Sequence, residues 1–468
     1  MTVSNRGIQL SSSEKGGETL PRYHFVGIAG SGVSALAQYH VMMGGTASGS
    51  DRAFDRGENG GVRRRLESLG VEVVPQDASG LGLGCDAVIV SGAVEGAVPD
   101  LHVARQQKVP VLHRSELLAR YVAERHTTAV GGTSGKSTVT AMIFEILRAG
   151  GRDPSLITGG NLISLQEEGY VGNAWVGDSD LLVIEADESD GSLVRYEPWI
   201  GVLLNLRRDH REPEELARVF HEFREQTRGA FLIGEDENLD AFSAGAVVFG
   251  LDSGADFRAE SVDLELEGSR FSIAGVEFRL LAPGLHNVLN ATAAAAACRA
   301  SGVSLEEASS ALSRFRGVER RFQIVGRRAG VEVVDDFAHN PDKIRAALAT
   351  ARYRADRILA VFQPHGYGPT RFMREDLVDM LALGLRRADR LWMPEIYYAG
   401  GTAERDISSR EIVEEVARLG IPAAFAESRD DLIDEVVAEA RSGDIVLVMG
   451  ARDPSLPEVA RRIFERLR

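Results

Sequence analysis

The segment that most restricts how this chain can fold is GGTSGKST, residues Gly131 to Thr138. An apolar strand is predicted before it and an amphipathic helix after it, which is the setting of a phosphate-binding loop. Its glycines let backbone N–H groups face a phosphate, Lys136 can reach the terminal phosphates, and Ser137 can offer a hydroxyl to Mg²⁺. The loop is a shorter type, because Val130 stands where the common pattern has its first glycine. A glycine-rich turn with an exposed lysine is the alternative interpretation.

Acidic and histidine side chains follow the next two apolar strands of the chain. EADESDGS, Glu185 to Ser192, comes directly after LLVI, and carboxylates at the end of a buried strand need a cation or polar partners. Mg²⁺ takes few protein carboxylates, so Glu185 is a candidate ligand. Asp209-His210 ends the following strand, where a neutral imidazole could hold a second ion. The alternatives are a solvated acidic turn for the first segment and a structural role for the second.

A second glycine motif lies near the N-terminus, in GIAGSGVS, Gly27 to Ser34. It resembles a dinucleotide-binding fingerprint with its glycines respaced, and Asp51 follows about twenty residues later, where an acid that binds ribose is expected. The predicted strand before the glycines and helix after them favour the binding of a nucleotide diphosphate. A tight turn without a ligand is the alternative.

Length and charge limit the remaining possibilities. The 468 residues correspond to roughly three domains of about 150 residues. Apolar strands alternate with helical stretches, which predicts parallel sheets covered by helices. The net charge of −16 argues against a surface that binds nucleic acid.

Cysteine usage and the N-terminal residues indicate the compartment. Cys85 and Cys298 are too few for a disulfide framework or a zinc cluster, which favours a reducing environment. The polar N-terminal stretch has no apolar signal core, and no apolar run approaches the ~20 residues that span a bilayer. We therefore expect a cytoplasmic protein.

Taken together, the motifs resemble those of the Mur ligase family over nearly the whole chain, from HFVGIAGSGVS to MGARD. GTSGKST is similar to the family's GTHGKTT loop, and EADESD matches its counterpart letter for letter. HNVLNA, RRF, DDFAHNP and FQPH follow in the family's order. The set as a whole is far more specific than any one of its members.

The resemblance implies an α/β enzyme of three domains: a Rossmann-like domain for a UDP-sugar at residues 1–122, a central ATP-binding domain at 123–321, and a Rossmann-like domain for the amino acid at 322–468. Its activity would be that of an ATP-dependent ligase that joins an amino acid, with L-alanine expected, to UDP-N-acetylmuramate in peptidoglycan synthesis. ATP would convert the carboxylate to an acyl phosphate that the amine captures, with two Mg²⁺ ions assisting. Neither nucleic acid nor a membrane is expected as a partner.

The resemblance also implies which residues of this sequence bind each group. Those implied for the UDP-sugar are Gly27, Gly30, Ser31, Gly32, Ser50 and Asp51. Those implied for ATP are Gly132, Thr133, Ser134, Gly135, Lys136, Ser137, Thr138, Asn287, Asn290, Arg321 and Asp336. The implied metal ligands are Ser137, Glu185 and His210, the implied catalytic residues are Lys136, Glu185, His210 and His339, and the implied amino-acid-binding residues are His365 and Arg371.

Several positions depart from the family pattern. The family typically reads FQPHRYSRTR where this chain reads FQPHGYGPTR, so Gly366 and Pro369 stand in place of two arginines that suit a carboxylate. The other departures are Asn340 for a second histidine, Gln323 for an acid after RRF, and Arg207-Arg208 before Asp209 where acids are common. These changes leave ATP use untouched but bear on the amine substrate. A related ligase that attaches a different amine or a ready-made peptide to UDP-N-acetylmuramate is therefore one alternative.

Two alternatives come from other classes of protein. An NAD-dependent dehydrogenase would explain the N-terminal glycines and Asp51, but it has no use for the second phosphate loop with EADESD. A nucleotide-dependent switch would hydrolyse ATP and ligate nothing. Phosphate release that requires both a UDP-sugar and an amine distinguishes the ligase from both.

We expect the N-terminal domain to bind a uridine diphosphate sugar in preference to NAD, because its glycines let the backbone approach a diphosphate while Asp51 can meet ribose or sugar hydroxyls. Calorimetric titration of the whole protein with UDP-N-acetylmuramate and with NAD measures both affinities. Tight binding of NAD without binding of the UDP-sugar would contradict this prediction.

Overall fold

The computed structural model describes residues 20–92, 94, 96–188, 191–207, 213–398 and 404–468. The chain divides into two compact units. The first consists of Met1–Leu117 with Ala174–Val176, and the second of Leu118–Asn173 with Gly177–Arg468.

The first unit is built on a parallel sheet. Its strands are β1 (Arg22–Val26), β2 (Thr46–Ser50), β3 (Glu72–Val74), β4 (Ala87–Val90) and β5 (Val111–His113), in the spatial order β3-β2-β1-β4-β5. Its helices are α1 (Ser31–Met42), α2 (Arg52–Asp55), α3 (Gly60–Ser68), α4 (Pro99–Gln107) and α5 (Arg114–Ala123), with a 3-10 turn at Ser79–Leu83; α5 continues into the second unit. The central strand β1 is buried along YHFV, as a parallel strand covered on both faces requires. Its polar residue His24 is satisfied there by hydrogen bonds of 2.9 Å to Ser48 and Asp100.

The second unit begins with the sheet that carries the phosphate loop. Its strands are β6 (His126–Gly131), β7 (Ser155–Ile157), β9 (Leu181–Glu185), β10 (Ile200–Leu203), β11 (Phe231–Gly234), β12 (Val247–Gly250), β13 (Phe257–Glu265), β14 (Gly268–Ile273) and β15 (Val276–Leu280). The remaining strand of this stretch of chain, β8 (Ala174–Trp175), falls in the first unit. The spatial order runs β15-β14-β13-β12-β11-β10-β6-β9-β7. The strands from β13 to β7 in this order pair in parallel, and the β13-β14 and β14-β15 pairs are antiparallel.

Helices cover this central sheet. They are α6 (Lys136–Ala149), α7 (Ile163–Glu167), α8 (Pro213–Gln226), α9 (Leu285–Ala300) and α10 (Leu305–Leu312), with 3-10 turns at Ser192–Arg195 and Glu237–Phe242. The alanine run at 293–297 is buried in α9, which packs against α6. Small side chains let these two helices approach closely, and α6 is the helix that begins at the phosphate loop.

The C-terminal part of the second unit forms a third sheet. Its strands are β16 (Gln323–Arg328), β17 (Val331–Asp336), β18 (Arg357–Gln363), β19 (Arg390–Pro394), β20 (Ala423–Ala426) and β21 (Asp444–Gly450), in the order β16-β17-β21-β18-β19-β20. The edge strand β16 is antiparallel and the others are parallel. The helices are α11 (Pro341–Arg354), α12 (Tyr367–Phe372), α13 (Arg374–Gly384), α14 (Ser409–Arg418), α15 (Arg429–Glu439) and α16 (Leu456–Arg466). Separate apolar clusters cover the two faces of this sheet.

Three sheets with helices around parallel strands confirm the predicted α/β class. The predicted domain boundaries stay a prediction, because the central and third sheets both lie in the second unit. Within the described residues, no helix is long and apolar enough to cross a membrane.

The chain enters the third sheet through a strained segment at residues 320–322. Arg320 and Phe322 have φ angles of +58° and +46°, which costs on the order of 1–3 kcal/mol for each side-chain-bearing residue. Hydrogen bonds hold this conformation: the N–H of Phe322 donates to Asp336 Oδ2 at 2.6 Å, and the N–H of Phe337 donates to the carbonyl of Arg320 at 2.7 Å. The guanidinium of Arg320 also pairs with Asp335 at 3.1 Å.

Asp335 carries a proton-dependent contribution to stability. Burial raises the pKa of its carboxyl to about 6, although the charge of Arg320 acts in the opposite direction. The same group titrates near about 3.9 in an unfolded chain. Because the pKa is higher in the folded state, the contribution of Asp335 to stability decreases as the pH rises from about 4 to about 6.

We therefore expect Asp335→Asn, which cannot ionise, to gain stability relative to the wild type as the pH rises from about 4 to about 7, by an amount on the order of 3 kcal/mol. Urea-induced unfolding of both proteins at the two pH values measures the difference in their free energies of unfolding. A difference that is the same at both pH values would contradict the prediction.

Candidate functional site

The loop between β6 and α6 has the backbone of a phosphate-binding loop. Gly132 and Gly135 have φ angles of +126° and +88°, a region that residues with side chains rarely adopt. A Cβ atom at position 135 would also lie 2.6 Å from Asn290 Oδ1. Both positions therefore need glycine, and the loop leads directly into the N-terminus of α6, where an anion is favoured.

Asn205, which follows β10, fixes the shape of this loop. Its Oδ1 accepts hydrogen bonds from Thr133 Oγ1 at 2.8 Å and from the N–H of Ser134 at 2.9 Å, while its Nδ2 donates to the carbonyl of Ser134 at 3.0 Å. Three contacts from one amide therefore fix the conformation of the loop. The sequence analysis did not single out Asn205, and its position directly after an apolar strand is the signal that could have found it.

Lys136 is anchored inside the site. Its Nζ donates to the carbonyl of Gly132 at 2.7 Å and to the Glu188 carboxylate at 2.7 and 3.0 Å. The two side chains are only 13% and 6% exposed. Burial by itself would lower the pKa of Lys136, but the charges of Glu188, Asp187 and Glu185 outweigh it and raise the pKa, so the ammonium stays charged. Glu188 lies within the predicted acidic motif, although no role was predicted for it.

Ser137 and Glu185 lie side by side, as the prediction of a shared metal requires. Ser137 Oγ donates to Glu185 Oε1 at 3.0 Å, and the other carboxylate oxygen accepts from Thr158 Oγ1 at 2.9 Å and from the N–H of Gly159 at 2.8 Å. Arg321 Nη2 donates to Ser137 Oγ at 3.2 Å. This carboxylate is thus held in one orientation next to a hydroxyl.

These oxygen donors fit Mg²⁺, which takes few protein ligands and completes its shell with water and phosphate oxygens. Within the described ranges, no group of three or more His, Cys, Asp and Glu side chains is arranged to hold a metal by itself. An ion bound by Ser137 and Glu185 would therefore depend on phosphate oxygens for the rest of its shell. His210, the other predicted ligand, lies outside the described residues, as do Arg208 and Asp209.

The central and third sheets together line a cavity of about 350 Å³. The predicted residues that line it are Thr133, Ser134, Gly135, Lys136, Ser137, Thr138, Glu185, Asn287, Asn290, Arg321, Asp336 and His339. Gly132 is not part of the lining, but its carbonyl holds Lys136. Lining residues for which no role was predicted include Asn205, Phe249, His286 and Lys343, and Arg207, which was noted only as a departure from the family pattern, also lines the cavity. Most of these adjoin a recognised motif, whereas Phe249 follows no motif and could be found only from the fold.

The third sheet contributes groups whose orientation is fixed. Both oxygens of Asp336 accept backbone N–H groups at 2.6 Å, from Phe322 and Ala338. His339 Nδ1 donates to the carbonyl of Phe337 at 2.9 Å, and Lys343 Nζ lies 3.3 Å from His339 Nε2. The third sheet therefore presents a histidine and a lysine to the cavity that contains the phosphate loop.

Three of the departures from the family pattern make defined local contacts. Asn340 is the N-cap of α11, where its Oδ1 accepts the N–H of Lys343 at 3.0 Å. Gln323 Oε1 accepts the N–H of Arg320 at 2.9 Å. Arg207 pairs with Asp236 at 3.0 Å, and both residues line the cavity.

In the first unit, the predicted UDP-sugar residues meet at the carboxyl ends of β1 and β2. The N–H groups of Gly27 and Ile28 donate to the carbonyl of Ser50 at 2.8 and 3.2 Å. Asp51 accepts the N–H of Ala29 at 2.9 Å and that of Ala53 at 2.8 Å, so its carboxylate holds the glycine loop and caps α2. Gly30 precedes α1 as its N-cap, and Ser31 is the first residue of that helix.

Arg114 is a further residue at this loop that the sequence analysis did not single out. A Cβ atom at Gly32 would lie 3.1 Å from Arg114 Nη1. Glycine at position 32 thus makes room for a guanidinium in the first turn of α1. The signal was the sequence HRSE, in which a basic residue directly follows β5.

The predicted amino-acid-binding residues lie beyond the carboxyl end of β18. The ring of His365 is 5.3 Å from that of His339, centroid to centroid, which places it beside the cavity. Gly366 is the N-cap of α12 with a φ of +72°, and Pro369 lies within the helix. Arg371 is engaged by Asp406 and by the carbonyl of Glu404.

A phosphate loop, an adjacent hydroxyl–carboxylate pair and a cavity lined partly by a third α/β sheet define an enzyme that uses a nucleoside triphosphate to activate a substrate. Three family models match the chain in sequence order: "Mur ligase family, catalytic domain" at residues 22–126, "Mur ligase middle domain" at 130–298, and "Mur ligase, glutamate ligase domain" at 320–452. The chain belongs to the Mur ligase family. The predicted resemblance and the predicted enzyme class, an ATP-dependent ligase, are confirmed.

Individual relatives extend over almost the full length. A UDP-N-acetylmuramate–L-alanine ligase of Syntrophomonas wolfei is 34% identical over 458 residues, which cover 92% of this chain and 94% of the relative. The crystal structure of a UDP-N-acetylmuramate–alanine ligase from Thermotoga maritima matches with a TM-score of 0.79 and 30% identity, over 95% of this chain and 99% of that one. A murein peptide ligase from Psychrobacter arcticus, at 23% identity and a TM-score of 0.69 over 96% and 98% of the two chains, shares the fold.

Replacement of Lys136 by alanine should reduce ATP-dependent phosphate release about 100-fold or more, because the ammonium would stabilise charge that develops on the transferring phosphoryl group. The measurement is the turnover number at saturating substrates. The single variant leaves Glu188 buried without its cation, so Lys136→Ala/Glu188→Gln serves as the matched variant for folding. For the double variant we expect an unfolding temperature near that of the wild type and the same loss of turnover as in the single variant. Normal phosphate release by either folded variant would overturn the assignment.

Proposed function

We propose that this enzyme joins L-alanine to UDP-N-acetylmuramate, with conversion of ATP to ADP and phosphate, as a step in peptidoglycan synthesis. The observation that carries the proposal is the cavity in which the phosphate loop, Glu185 and the third-sheet residues Asp336 and His339 meet. The relative from Syntrophomonas wolfei and the structure from Thermotoga maritima support the choice of substrates, since both are alanine-adding ligases of UDP-N-acetylmuramate by name.

The chemistry proceeds in two steps. A carboxylate oxygen of the sugar substrate attacks the γ-phosphorus, the bond to the bridging oxygen breaks, and ADP leaves. The acyl phosphate that forms has a good leaving group, whereas a free carboxylate repels nucleophiles. The amine nitrogen of L-alanine then attacks the carbonyl carbon, phosphate leaves, and one proton is released as the amide forms.

Several of the predicted residues would have defined tasks in the first step. Lys136 would sit against the terminal phosphates with its ammonium already anchored, so little reorganisation is needed when charge moves. Ser137 and Glu185 would hold one Mg²⁺, and His210 would hold a second. The bound ions would neutralise phosphate charge during transfer.

The remaining residues would bind the rest of the nucleotide. Asn287 and Asn290 would meet the adenine, and Thr133, Ser134, Gly135 and Thr138 would surround the phosphates. Arg321 and Asp336 would join the nucleotide to the third sheet.

Burial lowers the pKa of His286 to about 4, so this cavity residue is neutral at physiological pH and adds no charge to the site. His339 and His365 would border the amine.

The first unit would bind the UDP-sugar through the loop at Gly27, Gly30, Ser31 and Gly32 together with Ser50. Asp51 would act on the substrate chiefly by holding this loop, since both of its oxygens accept backbone N–H groups. We place the reaction in the cytoplasm, where ATP and nucleotide-activated sugars are available, and infer that it serves cell-wall growth and thereby cell shape and division.

A peptide-adding activity is the second candidate, because Gly366 and Pro369 cannot supply the guanidinium groups that the family pattern has there. The test is a panel of L-alanine, glycine, L-serine and muramyl-type peptides, each supplied with ATP, Mg²⁺ and UDP-N-acetylmuramate and scored by product mass. We expect L-alanine to give the dominant product, and phosphate release to depend on both the sugar and the amine. A peptide product without an L-alanine product would overturn the proposal, and phosphate release without an amine would indicate an ATPase.

A further inference from the structure

Helix α12 holds a neighbouring segment, residues 404–407, at two points. Near the start of the helix, Tyr367 forms a small buried cluster with Ile396 and Ile407. Near its end, the guanidinium of Arg371 donates to the carbonyl of Glu404 at 3.2 Å and pairs with the carboxylate of Asp406. The residue between these two anchored positions is Arg405.

Arg405 lies against aromatic rings and is exposed. Its Cζ atom is 3.9 Å from the ring centroid of Tyr398 and 6.0 Å from that of Tyr367. Within the part of the chain that the structure describes, Arg405 takes part in no ion pair. A guanidinium that stacks on a ring keeps the N–H donors at its edge available, and their planar fork matches a carboxylate.

The segment that carries Tyr398 is joined through His365 to a residue that lines the cavity. Tyr397 pairs with His365 in a parallel backbone bridge, and the backbone carbonyl of Tyr397 accepts the N–H of Gly366 at 2.9 Å. His365 in turn contacts His339, which lines the cavity. Arg405 is therefore linked to the phosphate-binding cavity through Tyr398, Tyr397 and the two histidines.

Two other arginines at this end of the third sheet are engaged. Arg371 pairs with Asp406, and Arg429 pairs with Asp453 and with Gln363 at the end of β18. Binding of a substrate carboxylate by either one would require it to leave an existing partner. Arg405 can bind a carboxylate without such a loss.

We propose that Arg405 binds the α-carboxylate of the amine substrate, and that Arg371 is a positioning residue that holds the segment on which Arg405 stands. The inference rests on the proposed function, and it narrows the substrate to an amino acid with a free α-carboxylate. In a peptide the carboxylate of the reacting residue is part of an amide and offers Arg405 no charge.

The test compares the wild type with Arg405→Ala and Arg405→Lys, using L-alanine and L-alaninamide, which lacks the carboxylate. Arg410→Ala is the control, because Arg410 is also exposed and lies against an aromatic ring of the third sheet, with its Cζ 4.1 Å from the ring centroid of Phe425. Unlike Arg405, it pairs with an acid, Glu427. Initial rates give the KM and kcat for each amine, for ATP and for UDP-N-acetylmuramate.

In Arg405→Ala we expect the KM for L-alanine to rise about tenfold or more, as loss of a charge-assisted hydrogen bond implies. The KM values for ATP and UDP-N-acetylmuramate should not change, and the preference for L-alanine over L-alaninamide should disappear. Arg405→Lys should retain part of that preference, and Arg410→Ala all of it. An unchanged KM and an unchanged preference in folded Arg405→Ala would overturn the proposal.

Arg371→Ala separates positioning from direct binding. We expect a higher KM for L-alanine with the preference over the amide reduced but retained, since Arg405 is still present. Complete loss of the preference in Arg371→Ala, with none lost in Arg405→Ala, would show that Arg371 is the carboxylate ligand.

Failure of the proposed function would give results that differ from those expected if only the inference about Arg405 is wrong. If the wild type ligates another amine of the panel instead of L-alanine, the proposed function is wrong, and the acid and amide forms of that amine test Arg405 in the same way. If the accepted amine has no free α-carboxylate, or if no amine is ligated, the inference about Arg405 is wrong as well.

Discussion

Lys136 and Glu188 join the two loops from which the site is made. One loop follows β6 and the other follows β9, and these strands are neighbours in the central sheet. A charge is costly to bury, and removal of one partner from a buried pair typically costs about 3–5 kcal/mol. The pair therefore holds the two loops in a fixed position relative to each other. It also keeps a positive charge where a polyanion can bind, although the net charge of the protein is −16.

The other parts of the second unit are arranged around this pair. The Asn205 amide sets the shape of the phosphate loop, and Glu185, held by Thr158 and Gly159, lies next to Ser137. Arg321 reaches Ser137 from the strained segment that enters the third sheet. The same segment is held by Asp335 and Asp336, so the backbone strain at residues 320–322 is stabilised by the contacts that bring the third sheet to the cavity.

Much of the fold and part of the site could be predicted from the sequence. Apolar strands that end in glycine loops or carboxylates are local patterns. GGTSGKST, GIAGSGVS and Glu185, the first residue of EADESD, all lie at the carboxyl ends of strands, as predicted. Asn205 and Arg114 follow strands and Glu188 lies in the acidic motif, but their contacts were missed because the partners of these side chains lie far away along the chain. Asp51 was noticed, but sequence could not indicate that its oxygens face backbone N–H groups.

The sequence by itself determined the class of fold, the phosphate loop and the family, because each of these is encoded by residue types at short, regular spacing. Only the tertiary structure decided which charged groups meet. Residues 136 and 188, 137 and 321, or 371 and 406 are brought together by sheet order and by the path of the chain between strands. Whether an arginine is engaged, as Arg371 is, or stacked with its donors exposed, as Arg405 is, depends on such distant neighbours. That information is absent from any local stretch of sequence.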